Sequence, residues 1–325
     1  MILKSLVKPV IYFFVLFVVF LTVWLVIKSY GKDFEEIFSA KSSLQASLIG
    51  EEAQLPKNPD IPQVLKPTRD WSVEDLQIAA KAAICVETSS TDKNKFLFKK
   101  NENEQLPIAS LTKLMTALVV LENKDKDYDL DKVTVISQEA VDQPGGQGLL
   151  TPEENLSIEN LLYIMLVESS NDAAYSLAEV KGFEQFVGLM NLKAMELGLF
   201  GSNFVDAAGL SSNNYSTAED LVRLTKYLLE NHPLIWEILS LDKFKLYTPQ
   251  GKFHHELSNT NELLGKIPDV VGGKTGKTDE AKGCLLLVLK NQKDQNYLIY
   301  IVLGSGDRFG ETKKLIDWVN QAYKW

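Results

Sequence analysis

Ser110 and Lys113 stand three residues apart in the stretch Pro107 to Glu122, which reads Pro-Ile-Ala-Ser-Leu-Thr-Lys-Leu-Met-Thr-Ala-Leu-Val-Val-Leu-Glu. An alcohol is a weak nucleophile at neutral pH and needs a positioned base. Residues i and i+3 share one side of a helix, so the Lys113 amine can reach the Ser110 hydroxyl. A serine at a helix start also lies near exposed backbone N–H groups and the positive end of the dipole, which favours a developing oxyanion. The pair therefore reads as a nucleophile with a built-in base. Spacing alone is not selective, because average residue usage supplies a Ser-x-x-Lys match about once in a chain of this size. Ser5/Lys8, Ser29/Lys32, Ser90/Lys93 and Ser240/Lys243 repeat it. What separates Ser110 is its company: Ser169-x-Asn171 follows 59 residues on (110 to 169), and Lys274-Thr275-Gly276 a further 105 (169 to 274). Ser169-x-Asn171 alone could be a polar turn between helices, and Ser211-Ser212-Asn213 has the same pattern. Lys-Thr-Gly occurs once.

These residues need elements to hold them. Leu111, Leu114, Met115, Leu118 and Leu121 recur at helical spacing after Ser110 and predict an apolar helix face. Ala79 to Thr88 reads as a strand, with Lys95 to Phe98 as its hairpin partner. Val133 to Ile136 is a short strand, and residues 143–148 (Gln-Pro-Gly-Gly-Gln-Gly) form a loop. Ser157 opens an apolar helix to Val167, which runs into Glu168-Ser169-Ser170-Asn171 before a second helical pattern continues to Glu179. Phe183 to Leu197 is a helix ended by Gly198. Thr217 caps Ala218 to Glu230, with Asp220 placed as in a capping box. Val270 to Gly276 is a Gly-rich strand; Cys284 to Leu289 and Tyr297 to Leu303 are the meander after it; Thr312 to Tyr323 is a closing helix. Strands at both ends with helices between predict an α+β fold: one antiparallel sheet with helices on its faces and a mainly helical insert.

The 325-residue chain divides by composition. Pro9 to Ile27 is a run of 19 residues without a charge, flanked by Lys8 and Lys28. That length fits a membrane-spanning helix rather than a cleaved signal peptide, and Phe38-Ser39-Ala40 is a poor cleavage site. Lys4 and Lys8 before the span favour the N-terminus inside and the body outside. Residues 1–28 are read as a membrane anchor, 29–71 as an extracytoplasmic linker interrupted by Pro56, Pro59, Pro62 and Pro67, and 72–325 as the catalytic domain. Roughly 250 residues can bury a large core. The net charge of −9 and the lack of a basic stripe argue against nucleic acid as a partner. Cys85 and Cys284 each lie in an apolar strand-like run and read as buried free thiols. Three histidines with no spaced Cys/His set argue against a metal site, and no cofactor is expected.

The ordered triple of Ser-x-x-Lys, Ser-x-Asn and Lys-Thr-Gly is the signature of class A β-lactamases and penicillin-binding proteins. From about Leu76 to Trp318 the chain resembles the serine-type D-Ala-D-Ala carboxypeptidases, the low-molecular-mass penicillin-binding proteins. The resemblance rests on residues 107–117, on Ser169-Ser170-Asn171-Asp172-Ala173-Ala174, on Asp206-Ala207-Ala208-Gly209-Leu210, on residues 215–221, and on Gly273-Lys274-Thr275-Gly276-Lys277-Thr278. Two departures stand out. Ser170 replaces the family's usual glycine, and the sequence stops soon after the closing helix, where many relatives carry a β-rich domain.

The resemblance implies a β-lactamase/DD-peptidase-like fold and a division of labour. Neutral Lys113 takes the Ser110 proton as Ser110 attacks the penultimate D-Ala carbonyl, its pKa depressed by burial and by the second cation, Lys274. Ser169 relays the proton to the leaving amine, and Asn171 holds the peptide amide and fixes Lys113. Backbone N–H groups of Ser110 and Lys277 form the oxyanion hole. Lys274 and Thr275 face the substrate carboxylate, Gly276, Lys277 and Thr278 bind substrate along the same strand, and Arg308 sits where relatives place a carboxylate-binding arginine, although a surface salt bridge would explain it equally. The implied substrate is a peptidoglycan stem peptide ending in D-Ala-D-Ala, with β-lactams as inhibitors. Three rivals are a DD-endopeptidase using the same residues, a slow-turnover β-lactam sensor, and a class A β-lactamase. The last needs a deacylating glutamate that neither Glu184 to Leu189 nor Glu262 to Ile267 supplies.

Overall fold

The computed structural model describes residues 67–88, 94–124, 127–145, 147–292 and 296–325. The predicted span Pro9–Ile27 and the linker up to residue 66 lie outside the described residues. Leu65–Trp325 forms one compact unit.

In chain order the elements are β1 (Thr68–Arg69), β2 (Ala82–Glu87), β3 (Lys95–Lys100), β4 (Leu106–Pro107), a 3-10 turn (Ala109–Thr112), α1 (Lys113–Glu122), β5 (Val133–Val135), α2 (Gln138–Val141) and β6 (Asn155–Ser157). Then come α3 (Ile158–Val167), α4 (Asn171–Glu179), α5 (Phe183–Glu196), β7 (Tyr215–Ser216), α6 (Ala218–Asn231), α7 (Pro233–Leu239), β8 (Lys243–Tyr247) and β9 (Phe253–Ser258). The last are β10 (Val270–Thr278), β11 (Lys282–Lys290), β12 (Tyr297–Ser305), α8 (Arg308–Ala322) and β13 (Tyr323–Lys324). The main sheet has the order β10-β11-β12-β2-β3, with every neighbour antiparallel. Its N- and C-terminal strands are therefore adjacent, and the helices from α1 to α7 fall between them in sequence. This is the predicted α+β arrangement.

The central strands are apolar on both faces because both faces are covered. Cys284, Leu286 and Val288 of β11 join the core under the helical insert, while Leu285, Leu287 and Leu289 join the core beneath α8, with Leu315 and Val319. Burying one such leucine stabilises by about 2 kcal/mol. The same alternation puts Cys85 and Cys284 in different cores, both buried and free. Burial raises both thiols, Cys284 to about 11. A maleimide should leave both unmodified in the native chain and label both after denaturation without reductant; protection in the denatured chain would reveal a disulfide.

Several boundaries differ from the sequence expectation. Lys113 to Leu121 is buried on all sides, so α1 is a central helix without the amphipathic stripe predicted for it. The closing helix starts at Arg308, capped by the Asp307 carboxylate accepting the Gly310 N–H. Thr217 does accept the Asp220 N–H, but the Asp220 carboxylate turns to Gly201 N–H and Ser202 rather than closing a capping box. Thr68–Arg69, assigned to the linker by composition, pairs with Tyr323–Lys324. The hairpin β8–β9 and helix α7 were not foreseen, and β9 leads directly into the site.

Candidate active site

The nucleophile segment is squeezed between two glycines from distant parts of the chain. Gly209 has φ +83, and a Cβ there would lie 2.0 Å from the Ala109 carbonyl oxygen. On the other side, a Cβ on Gly276 would lie 2.8 Å from Ile108 O and 3.0 Å from Ser110 N. Ala109 itself is held at φ +47, a conformation an alanine adopts only when its surroundings over-determine it. Ser110 thus sits on a strained 3-10 turn whose N–H faces edge strand β10, and α1 begins at Lys113. Gly276→Ala should force the strand and the serine apart and slow Ser110 acylation about 100-fold, the scale of a 1 Å misplacement. Stopped-flow acylation by a chromogenic β-lactam measures this; an unchanged rate would mean the strand yields without moving the serine.

Lys113 is buried, and its Nζ has three neighbours. It lies 2.8 Å from Ser110 Oγ and donates to Asn171 Oδ1 at 2.7 Å and to the Ala208 carbonyl at 2.7 Å. Desolvation pushes its pKa down to about 7, against the opposing pull of Asp206 and Asp172. Asp172, itself largely buried, is raised by desolvation to about 6. Asp206 is the anchor of the loop that carries Ala208. Its Oδ1 accepts the N–H groups of Ala208 (2.8 Å), Gly209 (2.5 Å) and Leu210 (3.2 Å), and its Oδ2 accepts Ser211 N–H (2.9 Å) and Asn214 Nδ2 (2.6 Å). An Asp that ties down the following N–H groups is a turn-forming pattern, so the signal was present at Asp206. No side-chain signal marks a carbonyl such as Ala208.

Ser169 follows α3 in the left-handed region, at φ +64, and Ser170 caps α4 by accepting the Ala173 N–H at 3.1 Å. This turn points Ser169 Oγ at Lys274 Nζ, which donates to it at 2.7 Å. The serine at 170 serves as this cap. Asn171 presents Oδ1 to Lys113 while its Nδ2 donates to the Pro144 carbonyl, which fixes the amide orientation. Lys274 is buried, and its second donation goes to the Thr275 carbonyl at 3.0 Å. It therefore engages Ser169 rather than facing an open carboxylate site. Burial lowers Lys274 well below the usual ammonium value, with repulsion from Lys113 and Arg308 adding to it. Burial is the leading cause of the depression at both lysines.

The remaining predicted residues divide. The Thr275 hydroxyl meets Thr260 Oγ1 at 2.6 Å, which brings Thr260 into the site without any motif to announce it. The Thr278 hydroxyl accepts the Ala281 N–H at 3.0 Å, so this residue shapes the β10–β11 turn. The Lys277 side chain is exposed on the same edge strand. Arg308 donates from Nη1 to the Gly276 carbonyl at 2.9 Å and lies over the Phe309 ring. That contact places the guanidinium beside the Lys-Thr-Gly strand.

A serine against a buried lysine, with a second serine–lysine pair beside it, is an arrangement that can activate a hydroxyl as a nucleophile. The model of the D-alanyl-D-alanine carboxypeptidase family matches residues 69–307. The chain is 35% identical over 258 residues to the D-alanyl-D-alanine carboxypeptidase DacF of Bacillus subtilis, covering 77% of this chain and 64% of that protein. It is 33% identical over 236 residues to a D-alanyl-D-alanine endopeptidase of Pseudomonas aeruginosa, covering 70% of this chain and 75% of the relative. The ampicillin-bound structure of penicillin-binding protein D2 from Listeria monocytogenes superposes with a TM-score of 0.66 at 32% identity, covering 76% of this chain and all of that one. The chain belongs to the D-alanyl-D-alanine carboxypeptidase family.

Proposed function

We propose that this protein is a serine-type DD-peptidase that removes the terminal D-Ala from peptidoglycan stem peptides. The observation that carries the reading is the coordination of Lys113. Two of its three neighbours, Asn171 Oδ1 and Ala208 O, can only accept. A neutral amine has two hydrogens, which these acceptors take. Its lone pair is then left for Ser110, the one neighbour able to donate a proton. With a pKa near 7, much of Lys113 is in that form at neutral pH.

Ser110 Oγ attacks the penultimate D-Ala carbonyl as its proton passes to Lys113. The negative charge on the carbonyl oxygen is met by the N–H groups of Ser110 and Lys277. Collapse breaks the peptide C–N bond, and the proton that Lys113 took from Ser110 passes by way of Ser169, held by Lys274, to the departing D-Ala amine, which leaves Lys113 neutral again. The open edge of β10 suits pairing with an extended peptide. Arg308 and the Thr275–Thr260 hydroxyls stand along that edge to receive the terminal carboxylate. Water then hydrolyses the acyl-enzyme. β-Lactams are inhibitors on this reading because they acylate the same serine. The apolar run Pro9–Ile27 supports a membrane anchor with the catalytic unit outside the cytoplasm, which protease protection in intact cells would check.

Cross-link cleavage is the second reading, favoured by relatives named as endopeptidases at 33% and 38% identity. The purified full-length chain should release one alanine from a stem pentapeptide, followed by mass. Cleavage of a cross-linked muropeptide alone would move it to the endopeptidase reading. Acylation by penicillin with neither peptide cut would make it a β-lactam sensor.

A further inference from the structure

Ser169 is a non-glycine residue in the left-handed region, so something must impose that conformation on it. Downstream, the cap by Ser170 does so. Upstream, residues 167 and 168 are gripped by β9 and the loop after it. The Val167 carbonyl accepts the Thr260 N–H at 3.2 Å. Glu168, the last residue before Ser169, has its Oε1 on the Ser258 N–H at 3.3 Å and its Oε2 3.0 Å from His255 Nε2. The Nδ1 atoms of His255 and His254 are in contact, one donating and the other accepting, and His254 Nε2 lies 3.0 Å from Glu154 Oε1. Glu154 also accepts the Thr151 N–H at 3.2 Å. All four side chains of this chain of contacts are largely buried.

We propose that Glu168 and His255 are positioning residues that set the Ser169 hydroxyl for proton transfer. The carboxylate–imidazole–imidazole–carboxylate chain ties β9 and the Glu154 turn to the residue immediately before Ser169. One end holds the backbone immediately before Ser169, and the other ends on the Thr151 N–H. No hydrogen bond joins any of the four to Ser110 or Lys113, and their contact with the site is through Glu168, the residue before Ser169. The inference rests on the serine-peptidase reading above, in which Ser169 relays a proton during acylation.

The test is the acylation of the full-length chain by a chromogenic β-lactam, resolved into the non-covalent Kd and the limiting rate k2. His255→Leu should lower k2 by about 10- to 100-fold, the scale of a displaced proton relay, with Kd unchanged. His255→Gln keeps a donor for Glu168 and should recover most of k2. In a Ser169→Ala background His255→Leu should have no further effect, since both changes remove the same function. A merely structural ion pair would instead lower the thermal midpoint and add its effect in either background. A wild-type k2 in His255→Leu, a Gln variant as slow as Leu, or additivity with Ser169→Ala each overturns the proposal. Should His255→Leu fail to fold, Glu168→Gln carries the same double-mutant comparison with Ser169→Ala, and additivity there overturns it. A wild-type chain that is not acylated at all overturns the peptidase reading instead.

Discussion

Ser110→Ala should leave no covalent adduct with a fluorescent penicillin and no measurable release of D-alanine. The substitution removes one oxygen and little else. Ser110 lies on a turn held by backbone packing against Gly209 and Gly276, and these contacts do not involve its hydroxyl. Folding is therefore expected to survive, with the far-UV signal and melting temperature close to those of the parent. The Lys113 amine keeps its two acceptors, Asn171 Oδ1 and Ala208 O. Labelling is an all-or-none readout because the label is attached through the deleted atom. Persistent stoichiometric labelling of the variant would identify a different nucleophile and remove the basis for every role assigned here.

Replacing Lys113 should have the second-largest effect. Lys113→Arg keeps a cation near the serine but offers no lone pair in any accessible pH range. Loss of the general base is expected to slow acylation by about 10²- to 10⁴-fold. Near-normal acylation in the arginine variant would show that position 113 acts as a charge and not as a base. The pH profile makes the same distinction in the unmodified protein. Burial lowers Lys113 from its ordinary value of 10.5 to about 7. Below that pH the ammonium has no lone pair, so the acylation rate should fall as pH drops through about 7 and level off above it. The variant should lack this limb. A wild-type rate that is flat from pH 5 to pH 8 would contradict the assignment of Lys113 as base.

The two predictions depend on different kinds of information. That Ser110 and Lys113 can meet follows from i, i+3 spacing, and their company followed from the order of three short motifs. What depresses Lys113 could not be read in the same way. The sequence reading assigned part of that role to Lys274, since two cations near one cleft repel. In the structure burial is the largest cause at Lys113, and two carboxylates oppose it. The carboxylates belong to Asp206 and Asp172, and neither residue had been given a role. Thr278 was named from its place beside Lys-Thr-Gly, and only the structure shows its hydroxyl accepting the Ala281 N–H at the turn.

The sequence by itself determined the elements and the candidates. Short apolar runs located the sheet strands, and helical spacing with capping residues located most of the helices, because each of these signals needs only its own segment. Two-residue strands, the β8–β9 hairpin and the switch from a 3-10 turn to a helix at Lys113 escaped it, since these are imposed by neighbours rather than by local propensity. The tertiary structure alone decided which atoms converge. The Lys113 amine is surrounded by groups from positions 110, 171 and 208, and Lys274 is aimed at Ser169. The β9 strand supplies the grip on the residue before Ser169. The physical reason is that strained turns at Ala109 and Ser169 persist only where distant chain segments pack against them closely enough to forbid relaxation, and no local spacing encodes that contact.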